Sequence, residues 1–122
     1  LTEAGALVFY GSDWPAVVPD TNPWPGIEAM VSREDPYGKN PGKYWPEQAV
    51  DLKTALRIFT INGAVAGKQE KTTGSLEAGK RADFIILASN IFEIPTAALS
   101  DVQVLQTFVD GEAVFQRVSA GE

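Results

Sequence analysis

Histidine and cysteine are both absent from the 122 residues of this chain. Histidine is the usual general base near neutral pH and the commonest metal ligand, so the chain alone builds neither a Ser-His-Asp triad nor a histidine-based zinc site. Without cysteine it forms no disulfide and no thiolate metal site, which fits a reducing compartment, and we expect a cytoplasmic protein. Any catalysis by this chain must therefore use carboxylates or groups that come from outside the chain.

Clusters of basic residues and long apolar runs are also missing. Ten Lys and Arg side chains against sixteen Asp and Glu give a net charge of -6, and an acidic chain without a basic cluster repels a phosphate backbone. No apolar run approaches the roughly 20 residues of a membrane span, and the first residues do not have the pattern of a signal peptide. We expect neither nucleic acid nor a membrane as a partner.

The first 70 residues contain one predicted strand and two predicted helices. Residues 6–10, "ALVFY", form a continuous apolar run, which is typical of a strand covered on both faces in a parallel sheet. A proline-rich connection follows and contains a short helical stretch, "GIEAMVSRE". Apolar residues at helical spacing then predict a helix over residues 52–62, with Asp51 as its N-cap.

Residues 71–122 are predicted to be rich in β-structure. The run "FIILA" predicts a strand at residues 84–87, and two alternating runs at residues 102–115 meet at Asp110-Gly111. An Asp-Gly pair between alternating apolar residues is the strongest short-range signal for a β-hairpin. We therefore expect these strands in one antiparallel sheet, and two units at residues 1–70 and 71–122.

Four stretches together resemble a known family. They are "AGALVFYGSDWP", "ALRIFTINGAVA", "GSLEAGKRADFIIL" and "VLQTFVDGEAVF". In this order they are similar to the C-terminal portion of a metal-dependent hydrolase of the amidohydrolase superfamily. The resemblance implies an α/β fold that is a fragment of a larger one. Residues 1–70 would supply the last strand and closing helices of a TIM-like (β/α)8 barrel, and residues 71–122 the C-terminal part of a small β-sandwich.

The resemblance gives Asp13 a catalytic role. Asp13 follows the predicted strand in "GSDWP", and the active sites of such barrels lie at the C-terminal ends of the strands. By this resemblance Asp13 would be both a metal ligand and the acid-base group that moves the proton of the attacking water. The metal would be divalent, with zinc favoured, and the remaining ligands would lie upstream of this chain. We expect the isolated chain to bind no metal and to be inactive.

Simpler interpretations exist for each candidate residue. Judged from local sequence alone, the Asp13 carboxylate is more often a cap of the following turn than a catalytic group. Arg33 fits a substrate contact, a solvated surface residue or an ion pair that holds its loop. Packing in a loop-covered core is favoured over substrate stacking for four aromatic residues, namely Trp14, Trp24, Tyr44 and Trp45.

Two functions remain open on the sequence. In the first, the chain belongs to an enzyme that hydrolyses a C-N bond in an amide or cyclic amide of a small molecule, and its partner is the remainder of the barrel. In the second, it is a non-catalytic structural or interaction module derived from the same fold. Exposed strand edges would favour homo-oligomers of the isolated chain. Nothing in the sequence specifies the substrate.

Overall fold

The computed structural model describes residues 1–118 and contains three helices and a three-stranded sheet. The helices are α1 (Trp24–Ser32), α2 (Leu52–Phe59) and α3 (Ile61–Ala66), and the strands are β1 (Phe84–Leu87), β2 (Val104–Val109) and β3 (Glu112–Gln116). Short 3-10 turns lie at Thr2–Ala4, Pro46–Gln48 and Thr96–Asp101. Within residues 1–118, no helix combines the length and the apolar character that crossing a membrane requires.

The sheet confirms the predicted antiparallel arrangement. Its strand order is β1-β2-β3, and both pairings are antiparallel. Phe84 lies opposite Phe108, and their rings stack with centroids 4.5 Å apart. Asp110 and Gly111 both have positive φ, 53° and 82°, which is the backbone conformation of a two-residue hairpin turn. Asp83 fixes this turn, because its Oδ1 accepts a hydrogen bond from the Asp110 amide at 2.8 Å.

The helix predicted over residues 52–62 is divided in two. Helix α2 ends at Phe59 and α3 begins at Ile61, because Thr60 adopts φ -125° and ψ -95°. The hydroxyl of Thr60 donates to the Leu56 carbonyl at 2.7 Å, and such back-bonding by threonine is known to bend helices. Helix α3 then continues to Ala66, beyond the predicted end.

The strand predicted at residues 6–10 does not form in the structure. A strand needs a hydrogen-bonded neighbour, and no other segment within residues 1–118 pairs with this one. Val8 and Tyr10 are half-buried, whereas Leu7 and Phe9 are 50% and 56% exposed. The segment therefore packs one side against the helices and leaves an apolar side uncovered by the described chain.

The hydrophobic core draws on both predicted units. Its buried residues are Trp24, Ile27, Ala55, Ile91 and Leu99. Glu28 of α1 is also buried, and its Oε2 accepts a hydrogen bond from the Ser100 amide at 2.8 Å. These contacts join α1 to the 3-10 turn Thr96–Asp101, whereas the division of the chain at residue 70 stays a prediction.

The N-cap predicted at Asp51 is confirmed and makes helix α2 sensitive to acid. Its carboxylate accepts hydrogen bonds from the hydroxyl and the amide of Thr54 at 2.7 and 2.9 Å, and these bonds lower the pKa of Asp51. A carboxyl whose pKa is lower in the folded protein stabilises the fold above the unfolded pKa, and this stabilisation is lost as pH falls through the folded pKa. We expect Asp51→Ala to lower the thermal unfolding temperature near neutral pH and to matter less in acid.

The control for this prediction is Asp51→Asn, which keeps an oxygen acceptor for the Thr54 amide without the titrating carboxyl. Its unfolding temperature is expected to lie above that of Asp51→Ala. A difference between wild type and Asp51→Ala that stays constant as pH falls would contradict the assignment of the cap.

Candidate functional site

Asp13 lies in an exposed turn and its carboxylate is accessible. Its backbone is in the left-handed region with φ 54°, a conformation that aspartate adopts more readily than most residues. The turn is closed by its main-chain carbonyl, which accepts hydrogen bonds from the amides of Ala16 and Val17 at 2.8 and 3.3 Å. Within residues 1–118 the carboxylate itself makes no hydrogen bond or ion pair. Its oxygens are therefore free to contact a ligand, and the catalytic role of Asp13 stays a prediction.

The segment that leads to Asp13 packs on the helices through Tyr10. The Tyr10 ring stacks on Phe59 with centroids 4.0 Å apart and an angle of 19° between the rings. Helix α1 approaches this pair at Gly26, where a Cβ atom would lie 2.8 Å from Tyr10 Oη and 2.9 Å from Phe59 Cζ. Only glycine leaves room for the stack at this position of α1.

A second contact to this segment comes from Asn62 in the first turn of α3. The Asn62 side-chain amide donates to the Val8 carbonyl at 2.7 Å. The sequence does not indicate a function for Asn62, which lies within the stretch "ALRIFTINGAVA". The contact joins positions 54 apart, and no local pattern indicates it.

Arg33 holds its loop, and it does so through the main chain of Tyr44 rather than through an ion pair. The Arg33 Nε donates to the Tyr44 carbonyl at 2.9 Å, and the Tyr44 amide donates to the Arg33 carbonyl at 2.8 Å. Arg33 is the C-cap residue of α1 and has a φ of 60°. Of the interpretations open on the sequence, the loop-holding one agrees best with these two bonds.

The aromatic residues divide between core and surface. Trp24 is buried in the core, as the packing interpretation predicts. Trp14, Tyr44 and Trp45 are exposed in the described structure, because no part of residues 1–118 covers the loops from which they extend. For these three, packing in a loop-covered core stays a prediction.

A cavity of about 340 Å³ lies between the Asp13 turn and α1. Its wall is largely apolar and includes Tyr10, Val17 and Met30, with Arg33 and Tyr37 at its polar side. Partial burial, and then the nearby carboxylate of Asp20, raise the pKa of Tyr37. The shift keeps the Tyr37 hydroxyl protonated near physiological pH, as it is in an unperturbed tyrosine.

The described residues do not form a complete cluster of metal-ligating side chains. No group of three or more Asp and Glu side chains that could hold an ion occurs within residues 1–118, whereas tightly bound divalent metals normally have at least three protein ligands. The exposed Asp13 carboxylate fits one such ligand, because both of its oxygens are unbonded in the described chain. A complete site therefore requires ligands from outside residues 1–118.

Comparison with known proteins supports the resemblance seen in the sequence. The model of the family described as "Amidohydrolase family" matches residues 1–115. The N-substituted formamide deformylase of Arthrobacter pascens is 34% identical over 120 residues, covering 98% of this chain and 21% of that protein. The protein LONG AFTER FAR-RED 3 of Arabidopsis thaliana is 36% identical over 115 residues, covering 94% of this chain and 19% of that protein.

A solved structure agrees with these matches. The crystal structure of an amidohydrolase from Thermotoga maritima superposes with a TM-score of 0.68 and 26% identity, over 96% of this chain and 25% of that one. The chain thus spans about a fifth of the length of the curated relatives it matches.

Proposed function

Because this chain belongs to the amidohydrolase family, we propose that it is the C-terminal portion of a metal-dependent hydrolase that cleaves a C-N bond in an amide or cyclic amide of a small molecule. The observation that supports this most directly is the accessible carboxylate of Asp13 in its exposed turn. A carboxylate that only capped the turn would be bonded to the neighbouring amides, whereas here the main-chain carbonyl bonds them.

In the proposed reaction Asp13 moves one proton twice. When bound, a divalent metal, with zinc favoured, lowers the pKa of a coordinated water toward neutrality. The Asp13 carboxylate accepts a proton from the attacking water as the new C-O bond forms. It then donates that proton to the leaving nitrogen as the C-N bond breaks. A carboxylate suits the first step, because it needs only to accept a proton from a water already made acidic, and the carboxylic acid that results holds the proton needed by the leaving nitrogen.

The proposed partner of this chain is the remainder of a TIM-like barrel. Residues 6–10 would form its last strand, and Leu7 and Phe9 would contact the adjoining barrel residues. Their exposure in the described chain supports this, because an uncovered pair of large apolar side chains beside unpaired backbone favours association. The sheet β1-β2-β3 would be the C-terminal part of the small β-sandwich. In the isolated chain the same surfaces would support homo-oligomers.

The test uses the full-length protein and a panel of three substrate classes. These are N-substituted formamides, as acted on by the named relative of Arthrobacter pascens, N-acyl amino acids and cyclic amides. We expect at least one class to be hydrolysed, with activity lost after treatment with a chelator and restored by a divalent metal. Hydrolysis that survives complete removal of metal would contradict the metal-dependent part of the proposal.

The second candidate is a non-catalytic module, and the absence of histidine from the chain favours it. The two candidates differ in the residues that accompany this chain. A His-x-His pair that follows a strand upstream in the full-length protein supports the hydrolase. Full-length protein that lacks such a pair, and that is inert toward the whole panel, supports the module.

A further inference from the structure

We propose that residues 34–43 form a selectivity loop, which selects substrates by the size of the apolar group that they carry. This proposal rests on the hydrolase function proposed above and specifies which part of the substrate the loop contacts. Three observations support it. The selectivity loop is closed at its base, it is held together internally, and it lines the cavity of about 340 Å³ beside the Asp13 turn.

The base of the selectivity loop is closed by Arg33 and Tyr44. The Tyr44 amide donates to the Arg33 carbonyl at 2.8 Å, and Arg33 Nε donates to the Tyr44 carbonyl at 2.9 Å. Compact surface loops whose ends lie close together, known as Ω-loops, are frequently functional. Both bonds form between residues of this chain, so closure of the loop requires nothing from the remainder of the full-length protein.

The interior of the selectivity loop is held together by Asp35. Its carboxylate accepts hydrogen bonds from the Tyr37 amide at 2.9 Å, and from the main-chain and side-chain amides of Asn40 at 3.0 and 2.9 Å. Lys43 and Glu34 form an ion pair of 3.8 Å near the base. A loop with its own internal bonds is preorganised, and it therefore loses less conformational entropy when a ligand binds.

The selectivity loop and the Asp13 turn line the same cavity. Tyr37 contributes from the loop, Val17 from the turn, and Ala29 and Met30 from α1. The Val17 amide donates to the main-chain carbonyl of Asp13 at 3.3 Å, so a group in the cavity lies next to the turn that bears the proposed acid-base carboxylate. The volume is at the lower end of the range for small-molecule sites. The cavity therefore suits an apolar substituent of a substrate whose amide lies at Asp13.

The cavity lies on the helix side of the proposed last barrel strand. Tyr10, which stacks on Phe59, lines the cavity, whereas Leu7 and Phe9 are uncovered on the opposite side. Strands that complete the barrel would adjoin residues 6–10 and cover Leu7 and Phe9, because alternate side chains of a barrel strand face its interior. The loop that follows a barrel strand lies at the face that holds the active site. The proposed barrel thus places the selectivity loop beside the substrate.

The first experiment introduces Tyr37→Ala into the full-length protein and compares two substrates that differ in the size of one apolar group. The pairs are N-methylformamide and N-hexylformamide, N-acetylglycine and N-acetylleucine, and pyrrolidinone and its butyl-substituted derivative, according to the class that the wild type hydrolyses. We expect the wild type to favour the larger member by about 10- to 100-fold in kcat/KM, because burial of each CH₂ group is favourable. Tyr37→Ala should reduce that preference about 5- to 10-fold, mainly through KM.

The second variant replaces residues 34–43 by two glycines. The Arg33 carbonyl and the Tyr44 amide are then separated by two residues, which is the hydrogen-bonded spacing of a β-turn, so the bond that closes the loop can be kept. We expect this variant to lose most of the preference for the larger substrate. Should it not fold, Ala29→Leu narrows the cavity from α1 and should lower kcat/KM more for the larger substrate than for the smaller one.

The matched control is Tyr44→Ala. The Tyr44 side chain is exposed to nearly the same extent as that of Tyr37, 46% against 40%, but it lies outside the lining of the cavity. Both bonds between Tyr44 and Arg33 use the main chain of Tyr44, so the base of the loop stays closed. We expect the preference between the two substrates to match the wild type.

An unchanged preference in folded Tyr37→Ala, or an equal loss of preference in Tyr44→Ala, would overturn the proposal. A wild type that does not favour the larger member of any hydrolysed pair would also overturn it. The hydrolase function fails separately, when the wild type is inert toward all pairs. The same amides then serve as ligands in calorimetry, where tighter binding of the larger member to wild type than to Tyr37→Ala supports the cavity assignment and equal binding contradicts it.

Discussion

Asp13→Asn in the full-length protein is expected to lower the rate of amide hydrolysis by about 100-fold or more, which is the order of magnitude that a positioned acid-base group supplies. Asparagine has nearly the same shape as aspartate and keeps one oxygen for a metal, but it accepts no proton from the attacking water. The turn is closed by the main-chain carbonyl of residue 13, so the fold and much of the metal content should remain. Turnover and metal content are measured on the same preparation.

The matched control is Asp20→Asn in the following loop. Asp20 is also exposed, and its Oδ1 accepts a hydrogen bond from the Asn22 amide at 2.8 Å. Asparagine at position 20 preserves that acceptor while removing the same negative charge. We expect its turnover to match the wild type. Near-normal turnover in Asp13→Asn would contradict the acid-base role of the Asp13 carboxylate.

Gly74→Ala is expected to be the most destabilising of the substitutions proposed for the structure. Gly74 has φ 89°, and a Cβ atom there would lie 2.6 Å from Ala64 Cβ and 3.1 Å from Ile61 Cα. The left-handed backbone alone costs an alanine about 1 to 2 kcal/mol, and overpacking adds about 1 to 3 kcal/mol. We therefore expect a loss of about 3 kcal/mol in the free energy of unfolding, measured by urea denaturation of the full-length protein.

Gly79→Ala is the control that separates crowding from backbone strain. Gly79 has almost the same φ, 90°, but apart from its own chain neighbours no residue within 1–118 has an atom within 4 Å of its Cβ position. Only the cost of the left-handed conformation applies, about 1 to 2 kcal/mol. Equal losses for the two variants would contradict the close approach of Gly74 to helix α3.

Features that depend on a few consecutive residues were predictable from the sequence. The hairpin turn at Asp110-Gly111 and the N-cap at Asp51 need only residues two or three positions apart, and both form as predicted. The strand β1 was equally accessible, because its apolar run and the alternation of β2 and β3 specify a shared sheet. Asp13 was singled out by its place in "GSDWP", and the structure shows its carboxylate to be accessible.

Features that join distant residues were decided only by the tertiary structure. The bond from Asn62 to Val8 spans 54 positions, and the bond from Ser100 to Glu28 spans 72. Neither bond leaves a periodic or turn signal in the sequence. The same asparagine or glutamate would occur whether its side chain contacts solvent or a distant backbone group. The need for glycine at position 26 is also not predictable from the sequence, because it depends on the stack of Tyr10 on Phe59.

The segment before Asp13 has one property that the sequence predicts and another that depends on the tertiary structure. Its apolar run determines that residues 6–10 must be covered, because exposed Leu7 and Phe9 side chains carry a hydrophobic cost. Whether the run becomes a strand depends on a neighbour that donates and accepts its backbone hydrogen bonds. Composition determines how strongly each side chain favours burial, because hydrophobicity is a property of the single residue. Strand formation is a property of a pair of segments that only the folded structure brings together.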